Sequence, residues 1–283
     1  MRECDESGPF TLDDDLLVAG DAAAVLPQLP DGRFELIYID PPFNTGRERR
    51  ARRISVTRDA AGARSGFAGA RYSETLRSEL AYGDRHEDDA GFLLPKLERA
   101  RELLAPEGTL YVHLDYREAH YVKVALDALF GRERFLNEIV WAYDYGGRPR
   151  RRWPAKHDTI LVYVADRERY HFDSAAVERE PYMAPGLVGP EKAARGKLPT
   201  DVWWHTIVPT AGRERTGYPT QKPEGVLRRI VAASSRPGGW CLDFFAGSGT
   251  LGAVAAQLGR RYVLVERNPE AIAIARARLT APR

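Results

Sequence analysis

Residues 240–252 read WCLDFFAGSGTLG, a short apolar run that ends in Asp243 and continues through a glycine-rich turn into a second apolar segment. The glycines of this turn are Gly247, Gly249 and Gly252. At this spacing between a strand and a helix, glycines let a nucleotide-like ligand approach the backbone, and an acid that closes the next strand can accept both ribose hydroxyls. Glu266 closes the next apolar run and fits that role. The stretch predicts an α/β fold with a nucleoside site.

Two nucleoside ligands remain open on these residues alone. A nicotinamide dinucleotide and S-adenosylmethionine both carry an adenosine ribose that such an acid can hold. Asp243, Phe244 and Phe245 place a carboxylate and aromatic surface beside the turn. Because S-adenosylmethionine carries an ammonium and a sulfonium, these side chains favour it over the dinucleotide.

A second motif follows another predicted strand, where residues 36–43 read LIYIDPPF. The Asp40 carboxylate and the Pro41 carbonyl can accept the two hydrogens of an exocyclic base amine. Pro41 and Pro42 stiffen the turn because the φ angle of proline is fixed. Phe43 can stack on an extruded base. Taken alone, the motif also fits a strand terminator with a solvated aspartate, but together with the glycine-rich turn it predicts a base-modifying enzyme.

The composition is that of a globular protein, since 43% of the 283 residues are hydrophobic. The apolar stretches are shorter than the roughly 20 residues of a membrane span. The acidic first residues lack the pattern of a secretion signal, so we expect a cytoplasmic protein. Cys4 and Cys241 cannot form a disulfide framework or a thiolate zinc site, and the six histidines lack paired ligand spacing. No metal is implied.

The net charge of +2 does not by itself indicate a nucleic-acid partner, but the arginines are unevenly distributed. Residues 47–64 contain seven arginines, and residues 148–152 contain four around Pro149. Solvated surface is the alternative interpretation of both runs. Residues 46–89 show no sustained period and are expected to form a long mobile loop, with a helical turn near residues 73–80.

The remaining chain alternates strands and helices, which predicts a parallel sheet. The expected strands are residues 16–19, 36–39, 109–114, 137–143, 159–164, 240–244 and 262–265. One helix is expected from residue 88 to the break at Pro106, and the others are residues 116–130, 224–234, 250–258 and 269–279. The chain therefore divides into a catalytic half at residues 1–145, a loop-rich recognition region at 146–216, and a cofactor-binding half at 217–283.

These motifs resemble those of the amino-group DNA methyltransferases. The resemblance extends over nearly the whole chain and rests on residues 40–46, 220–223 and 243–250, together with Glu266. The chain is most similar to the permuted β-type subgroup, in which the catalytic motif precedes the recognition region and the cofactor motif comes last. The resemblance implies a Rossmann-like S-adenosylmethionine-dependent methyltransferase fold: a mostly parallel twisted sheet with helices on both faces, circularly permuted, with an inserted target-recognition region.

The same resemblance implies roles for individual residues. The catalytic loop is Asp40, Pro41, Pro42 and Phe43, where phenylalanine replaces the commoner tyrosine. The implied cofactor residues are Asp21, Gln221, Lys222, Pro223, Asp243, Phe245, Gly247, Ser248, Gly249, Thr250 and Glu266. Asp21 would contact the adenine, residues 221–223 would flank the methionine end, and Glu266 would hold the ribose. The candidate DNA contacts are Arg47, Arg49, Arg50, Arg52, Arg53, Arg148, Arg150, Arg151, Arg152 and Lys156.

The implied function is methyl transfer from S-adenosylmethionine to an exocyclic amine in a specific sequence of double-stranded DNA. Adenine N6 is favoured over cytosine N4, because the cytosine branch of the family more often begins its catalytic motif with serine. A nicotinamide-dependent oxidoreductase and a nucleic-acid-binding module with an inactive methyltransferase fold are the alternatives from other classes. A cognate restriction endonuclease and a homodimer are further partners that the family suggests.

Overall fold

A computed structural model describes residues 1–42, 49–59, 61, 63–65, 71–82 and 89–281. Its strands are β1 (Arg2–Asp5), β2 (Leu16–Ala19), β3 (Phe34–Ile39), β4 (Arg49–Arg58), β5 (Arg64–Ser65), β6 (Arg71–Tyr82), β7 (Leu104–Leu114), β8 (Phe135–Ala142), β9 (His157–Val164), β10 (Val202–Trp204), β11 (Trp240–Asp243) and β12 (Arg261–Glu266). Its α-helices are α1 (Ala22–Val25), α2 (Asp89–Leu103), α3 (Ala119–Phe130), α4 (Pro190–Arg195), α5 (Glu224–Ser234), α6 (Thr250–Gln257) and α7 (Pro269–Thr280).

Nine strands form the main sheet in the order β1-β2-β12-β11-β3-β7-β9-β8-β10. All its neighbouring pairs are parallel except those of β9, which runs antiparallel to both β7 and β8. This confirms the predicted α/β fold with a mostly parallel sheet. β3 and β11 are neighbours, with Leu36 opposite Cys241 and Ile37 opposite Leu242. The two motif-bearing strand ends therefore meet at the carboxyl edge of the sheet.

Helices cover both faces of this sheet, as expected. Ile37 and Ile39 of β3 pack into one core cluster, and Leu36 and Tyr38 pack into the other. The first cluster includes residues of α2 and α3, and the second includes residues of α5 and α6. Because both faces are buried, the central strands are continuous apolar runs rather than alternating ones.

Residues 46–89 differ from the prediction. The described part of this segment contains strands instead of a loop: β6 pairs antiparallel with β4 and with β5. Residues 73–80, expected to form a helical turn, lie within β6. The sequence carries β-branched residues at alternate positions, such as Ile54 and Val56, which is a strand pattern. The surrounding arginines, serines and glycines concealed that period.

The recognition region, predicted at residues 146–216, contributes two strands to the main sheet. β9 lies between β7 and β8, and β10 lies at the sheet's edge beside β8. β10 was not predicted, because three residues are too few to show a period. Among the described residues, no helix is long and apolar enough to cross a membrane.

Candidate active site

A cavity of about 370 Å³ lies at the carboxyl edge of the sheet, where β2, β3, β11 and β12 end. Its wall includes Asp21 after β2, Asp40 after β3, Asp243 at the end of β11 and Glu266 at the end of β12. Ligands of open α/β sheets bind outside the carboxyl ends of the strands, so this position is the expected one. The structure thus brings together acidic residues from distant parts of the chain.

The glycine-rich turn forms one side of the cavity. Gly247 has a φ of +50° and Gly249 a φ of +71°, in the left-handed region that glycine adopts without strain. A Cβ at Gly247 would lie 3.1 Å from the ring of Tyr218. At Gly252 a Cβ would lie 2.7 Å from the Leu264 side chain, so the third glycine lets α6 pack closely on β12. Backbone conformation or close packing therefore explains why each position of the motif is a glycine.

Glu266 and Asp243 are almost fully buried beside this turn. One Glu266 oxygen accepts the Gly247 N–H and the other accepts the Asn268 N–H, both at 2.8 Å. Asp243 Oδ1 accepts the Phe245 N–H at 2.9 Å. Burial raises the pKa of both carboxyl groups, and the charges of Asp40 and Glu266 raise the pKa of Asp243 further. Such a pocket favours a cationic ligand and opposes the phosphates of a dinucleotide.

Asp40 forms an ion pair with Lys222, and both side chains are largely buried. Lys222 Nζ donates to Asp40 Oδ2. The other carboxylate oxygen, Oδ1, is buried and has no hydrogen-bond partner among the described residues. Buried polar atoms in native proteins nearly always have a partner, so an orphaned acceptor at the cavity indicates a place for a donor from a ligand. The sequence predicted Asp40 for this purpose but did not reveal its link to Lys222.

The main chain beside Lys222 is held against the glycine-rich turn. Thr250 Oγ1 donates to the Lys222 carbonyl at 3.3 Å and accepts from Arg278 Nη1 at 2.9 Å. Ser248 and Thr250, which the sequence predicts to be cofactor residues, also line the cavity. These contacts fix Lys222 relative to the turn and thereby fix the orientation of Asp40.

Several cavity residues were missed by the sequence analysis. They are Tyr38, Phe92, Lys96 and Tyr218, among others. The Phe92 and Phe245 rings pack 6.0 Å apart, and Lys96 Nζ lies 3.8 Å from the centre of the Phe92 ring. Burial lowers the pKa of Lys96. The spacing of Phe92 and Lys96 along α2 is ordinary helical spacing, so no sequence signal separated them from core and surface positions.

Other predicted cofactor residues do not line the cavity or also stabilise local structure, for example by capping a helix. Among the described residues, Thr220 and Lys222 line the cavity, whereas Gln221 does not. The Gln221 amide instead accepts from the Thr216 N–H at 2.8 Å and donates to the Glu214 carbonyl at 2.6 Å. Pro223 and Gly249 are the N-cap residues of α5 and α6. Asp21 lines the cavity and also caps α1, accepting the Ala23 N–H at 2.8 Å.

The predicted DNA contacts fall into two groups. Arg49, Arg50, Arg52 and Arg53 lie on β4, in the three-stranded sheet. Residues 148–152 and Lys156 lie in the β8–β9 connection, where all four arginines are exposed. Lys156 Nζ donates to the carbonyls of Tyr145 and Gly146, at 2.6 and 2.9 Å. Phe43 and Arg47 lie outside the described residues.

A buried hydrogen-bonded chain leads from the cavity toward this connection. His113, which the sequence analysis did not assign to the site, lies 2.8 Å from the Tyr38 hydroxyl through Nδ1 and 3.3 Å from Asp158 through Nε2. The Tyr143 hydroxyl donates to the other Asp158 oxygen at 3.0 Å. Burial alone would raise the pKa of Asp158, but the contacts with His113 and Tyr143 and the charge of Lys222 hold it below its usual value. These hydrogen bonds fix the position of Tyr38, which precedes Asp40 by two residues.

Comparisons with known proteins agree with this geometry. A family model described as "DNA methylase" matches residues 34–277. The chain is 29% identical over 287 residues to the DNA adenine methyltransferase YhdJ of Escherichia coli (strain K12), covering 99% of this chain and 87% of YhdJ.

Two solved structures share the fold. The PvuII DNA methyltransferase (cytosine-N4-specific) superposes with a TM-score of 0.65 at 16% identity, covering 97% of this chain and 89% of the PvuII chain. The M1.HpyAVI–SAM complex superposes with a TM-score of 0.59 at 20% identity, covering 94% of this chain and 98% of the other. At these identities the similarity establishes the fold alone.

Proposed function

Since the chain belongs to the DNA methylase family, we propose that it transfers a methyl group to the N6 amine of adenine within a specific DNA sequence. The enzyme is an amino-group DNA methyltransferase, and its cofactor is S-adenosylmethionine. The choice of adenine is supported by Asp40 at the start of the catalytic motif and by the similarity to a DNA adenine methyltransferase. Family membership removes the oxidoreductase alternative.

The residues of the cavity fit this cofactor. Glu266 would accept the ribose hydroxyls, because each of its oxygens keeps lone-pair capacity beyond one backbone N–H. Asp243 and Phe245 would face the positively charged methionine end, and the raised pKa of Asp243 reflects a buried carboxylate with excess negative charge around it. When bound, the cofactor supplies an electrophilic methyl group.

The orphaned Oδ1 of Asp40 is the observation that carries the proposal. Lys222 occupies Oδ2, so Oδ1 is left to accept one hydrogen of the target amine. The Pro41 carbonyl is proposed to accept the other hydrogen. With both hydrogens engaged, the nitrogen lone pair is localised toward the methyl group. Asp40 and Pro41 would hold the amine for a single direct displacement on the methyl group that the cofactor would supply, with no covalent enzyme intermediate, and Asp40 Oδ1 would accept the proton released from the nitrogen. Phe43 is proposed to stack on the flipped base.

The organisation of the chain is also part of the proposal. Residues 1–145 and 217–283 would form the two halves of the methyltransferase domain, with target recognition in residues 146–216. A permuted order is supported by the sheet, in which β11 and β12, last in the chain, lie between β2 and β3. A DNA substrate follows from the family, and we propose that this DNA is double-stranded. A cytoplasmic location, a restriction endonuclease partner and a homodimer remain predictions.

The test is to incubate the purified protein with plasmid DNA and isotopically labelled S-adenosylmethionine, digest the DNA to nucleosides and analyse them by mass spectrometry. Label in N6-methyldeoxyadenosine is expected. Label only in N4-methyldeoxycytidine would make cytosine the target, and absence of label from DNA would overturn the proposed activity. Asp40→Ala protein serves as the matched control for contaminating methyltransferases.

A further inference from the structure

The connection between β8 and β9, residues 143–156, leaves the sheet at the same edge as Asp40. Ala142 of β8 is paired with His157 of β9, and Ile39 of β3 is paired with Val112 of β7. Because β8, β7 and β3 run in the same direction, their carboxyl ends share one edge. A duplex that presents a base to Asp40 therefore approaches the edge of the sheet at which this connection lies.

Hydrogen bonds hold this connection in place. Tyr143 N donates to the Lys156 carbonyl at 2.9 Å and closes its base. Arg148 donates to Asp144 at 2.9 Å, and Arg152 donates to the Tyr116 hydroxyl at 3.3 Å. Tyr116 follows β7, the immediate neighbour of the strand that delivers Asp40. The connection is thus held over the strand next to the catalytic one.

Trp153 lies in this connection with 93% of its surface exposed, and Tyr145 is 67% exposed. Both rings therefore present aromatic faces to solvent, and the amphipathic rings of tryptophan and tyrosine are enriched at interfaces. Their surroundings are cationic, since residues 143–156 contain five lysines and arginines against one carboxylate, Asp144. Surfaces that bind single-stranded nucleic acids combine basic side chains, which contact the phosphates, with aromatic rings, which stack on the bases.

We propose that Trp153 stacks on an unpaired or unstacked nucleobase of the DNA beside the nucleotide presented to Asp40, while the adjacent Arg151 contacts a phosphate. This inference rests on the proposed function and extends it by naming a base-contacting residue. Flipping a base costs a few kcal/mol because it exposes the neighbouring base faces. A tryptophan stacked on an exposed face offsets part of that cost, which gives Trp153 a physical purpose in the reaction.

The test separates base faces from phosphates. Binding of wild type and Trp153→Ala is measured with a single-stranded oligonucleotide of mixed sequence and with an abasic strand of the same length, which keeps the phosphates but lacks bases. Trp153→Ala should weaken binding of the mixed-sequence strand by about fivefold or more, the effect of losing one stacked base. Binding of the abasic strand should not change. Arg151→Gln should weaken binding of both strands.

Three controls make the result specific. Trp153→Phe should retain most of the affinity, because a phenyl ring can still stack. Phe172→Ala removes another exposed aromatic ring, one that follows β9 at the opposite edge of the sheet, and should bind both strands as wild type does. Cofactor affinity should be unchanged in every variant, which reports an intact fold. In wild type, the mixed-sequence strand should quench a component of the tryptophan emission that is absent in Trp153→Phe.

The inference would be overturned if Trp153→Ala bound the mixed-sequence strand as tightly as wild type does. It would also be overturned if the variant lost the same affinity for the mixed-sequence strand and the abasic strand. If either result is found while the wild-type protein methylates DNA, only the role of Trp153 is lost and the proposed function stands. If wild type neither binds the mixed-sequence strand nor methylates DNA, both the inference and the proposed function fail.

Discussion

Lys222 donates a hydrogen bond to Asp40 across 182 positions of the chain. The contact joins the start of the predicted cofactor-binding half to the catalytic turn, and both side chains are largely buried. Sequence resemblance implied a place for Lys222 at the methionine end of the cofactor, whereas the structure directs its ammonium to the carboxylate. We infer that Lys222 orients Asp40 so that Oδ1 is presented to the target amine.

The first prediction concerns this ion pair. Lys222→Met leaves the Asp40 carboxylate buried without its ion-pair partner, which should lower the free energy of unfolding by about 3 kcal/mol. Turnover should also fall, because Asp40 loses its fixed orientation. Urea denaturation measures the stability change. Arg148→Met, which breaks an exposed pair with Asp144, is the control and should cost less than about 1 kcal/mol.

A double variant checks the same point. Asp40→Asn combined with Lys222→Met removes both charges, so it should recover most of the stability that Lys222→Met alone removes. Purely additive effects of the two substitutions would show that the ion pair does not couple the residues.

Gly247→Val tests the glycine-rich turn. Its Cβ would meet the Tyr218 ring and the branched side chain would block the cofactor, so cofactor affinity should be lost. Gly32→Val is a matched control, because Gly32 has a φ of +64° and open space around its Cα. Both substitutions should cost about 1–2 kcal/mol of stability through backbone strain, but only the first should affect calorimetric titration with the cofactor. Normal cofactor affinity in Gly247→Val would refute the motif assignment.

The pH dependence follows from the raised pKa values of Asp243 and Glu266. Between their unfolded and folded pKa values, the folded protein binds more protons than the unfolded chain, so the free energy of unfolding of the ligand-free protein falls as pH rises through that window. Affinity for a cationic cofactor should rise over the same window, because the carboxylates become charged. Thermal unfolding and calorimetry at several pH values measure the two opposite trends.

Asp243→Asn isolates one of these groups. At pH values above the folded pKa of Asp243, the ligand-free variant should be more stable than wild type, because it lacks a carboxylate that is buried and charged there. It should also bind the cofactor more weakly and with a shallower pH dependence. A variant that keeps the wild-type pH profile of cofactor binding would exclude Asp243 from the effect.

Substitutions in the two groups of arginines should affect DNA affinity differently, one through its dependence on salt and the other through its dependence on DNA sequence. Replacing several of Arg47, Arg49, Arg50, Arg52 and Arg53 with glutamine should weaken binding to all DNA sequences alike and flatten the salt dependence by about 0.9 log unit per log salt for each phosphate that is no longer neutralised. Replacing Arg148 or Arg152 should cause a sequence-dependent loss of about 1–3 kcal/mol if one of them binds a guanine edge. Titrations of cognate and random duplexes at several salt concentrations measure both effects.

Equal losses of affinity for cognate and random DNA from both arginine sets would mean that both bind only the DNA backbone. Specificity would then reside further along the recognition region. Trp204 and His205, at the end of β10, are the next candidates, since Trp204 is 73% exposed whereas its neighbour Trp203 is buried.

Much of the fold could be predicted because its central strands are apolar runs between strong breakers. β3 ends before two prolines, β11 ends at the glycine-rich turn, and α5 was predicted at its observed bounds, Glu224–Ser234. The alternation of such segments is sufficient to indicate a parallel sheet. By contrast, β4 and β6 carry their period within a polar, arginine-rich background, so the segment resembled a loop.

The catalytic and glycine motifs could be located for the same reason, since each follows a strand that the sequence marks clearly. Their partners could not. Phe92 on α2 reaches the cavity only because that helix packs against α1 and β7, and Lys222 meets Asp40 only after the sheet has assembled. Local sequence does not encode such contacts, because they depend on the tertiary arrangement of distant segments.

The most direct test of the account is single-turnover methyl transfer by Asp40→Ala, measured beside the cofactor dissociation constant of the same variant. Because Oδ1 of Asp40 is proposed to act on the target amine, methyl transfer should fall by about 100-fold or more, while the cofactor constant stays close to that of wild type. Turnover near the wild-type rate, or a loss of cofactor binding that accounts for the reduced turnover, would contradict the role assigned to Asp40.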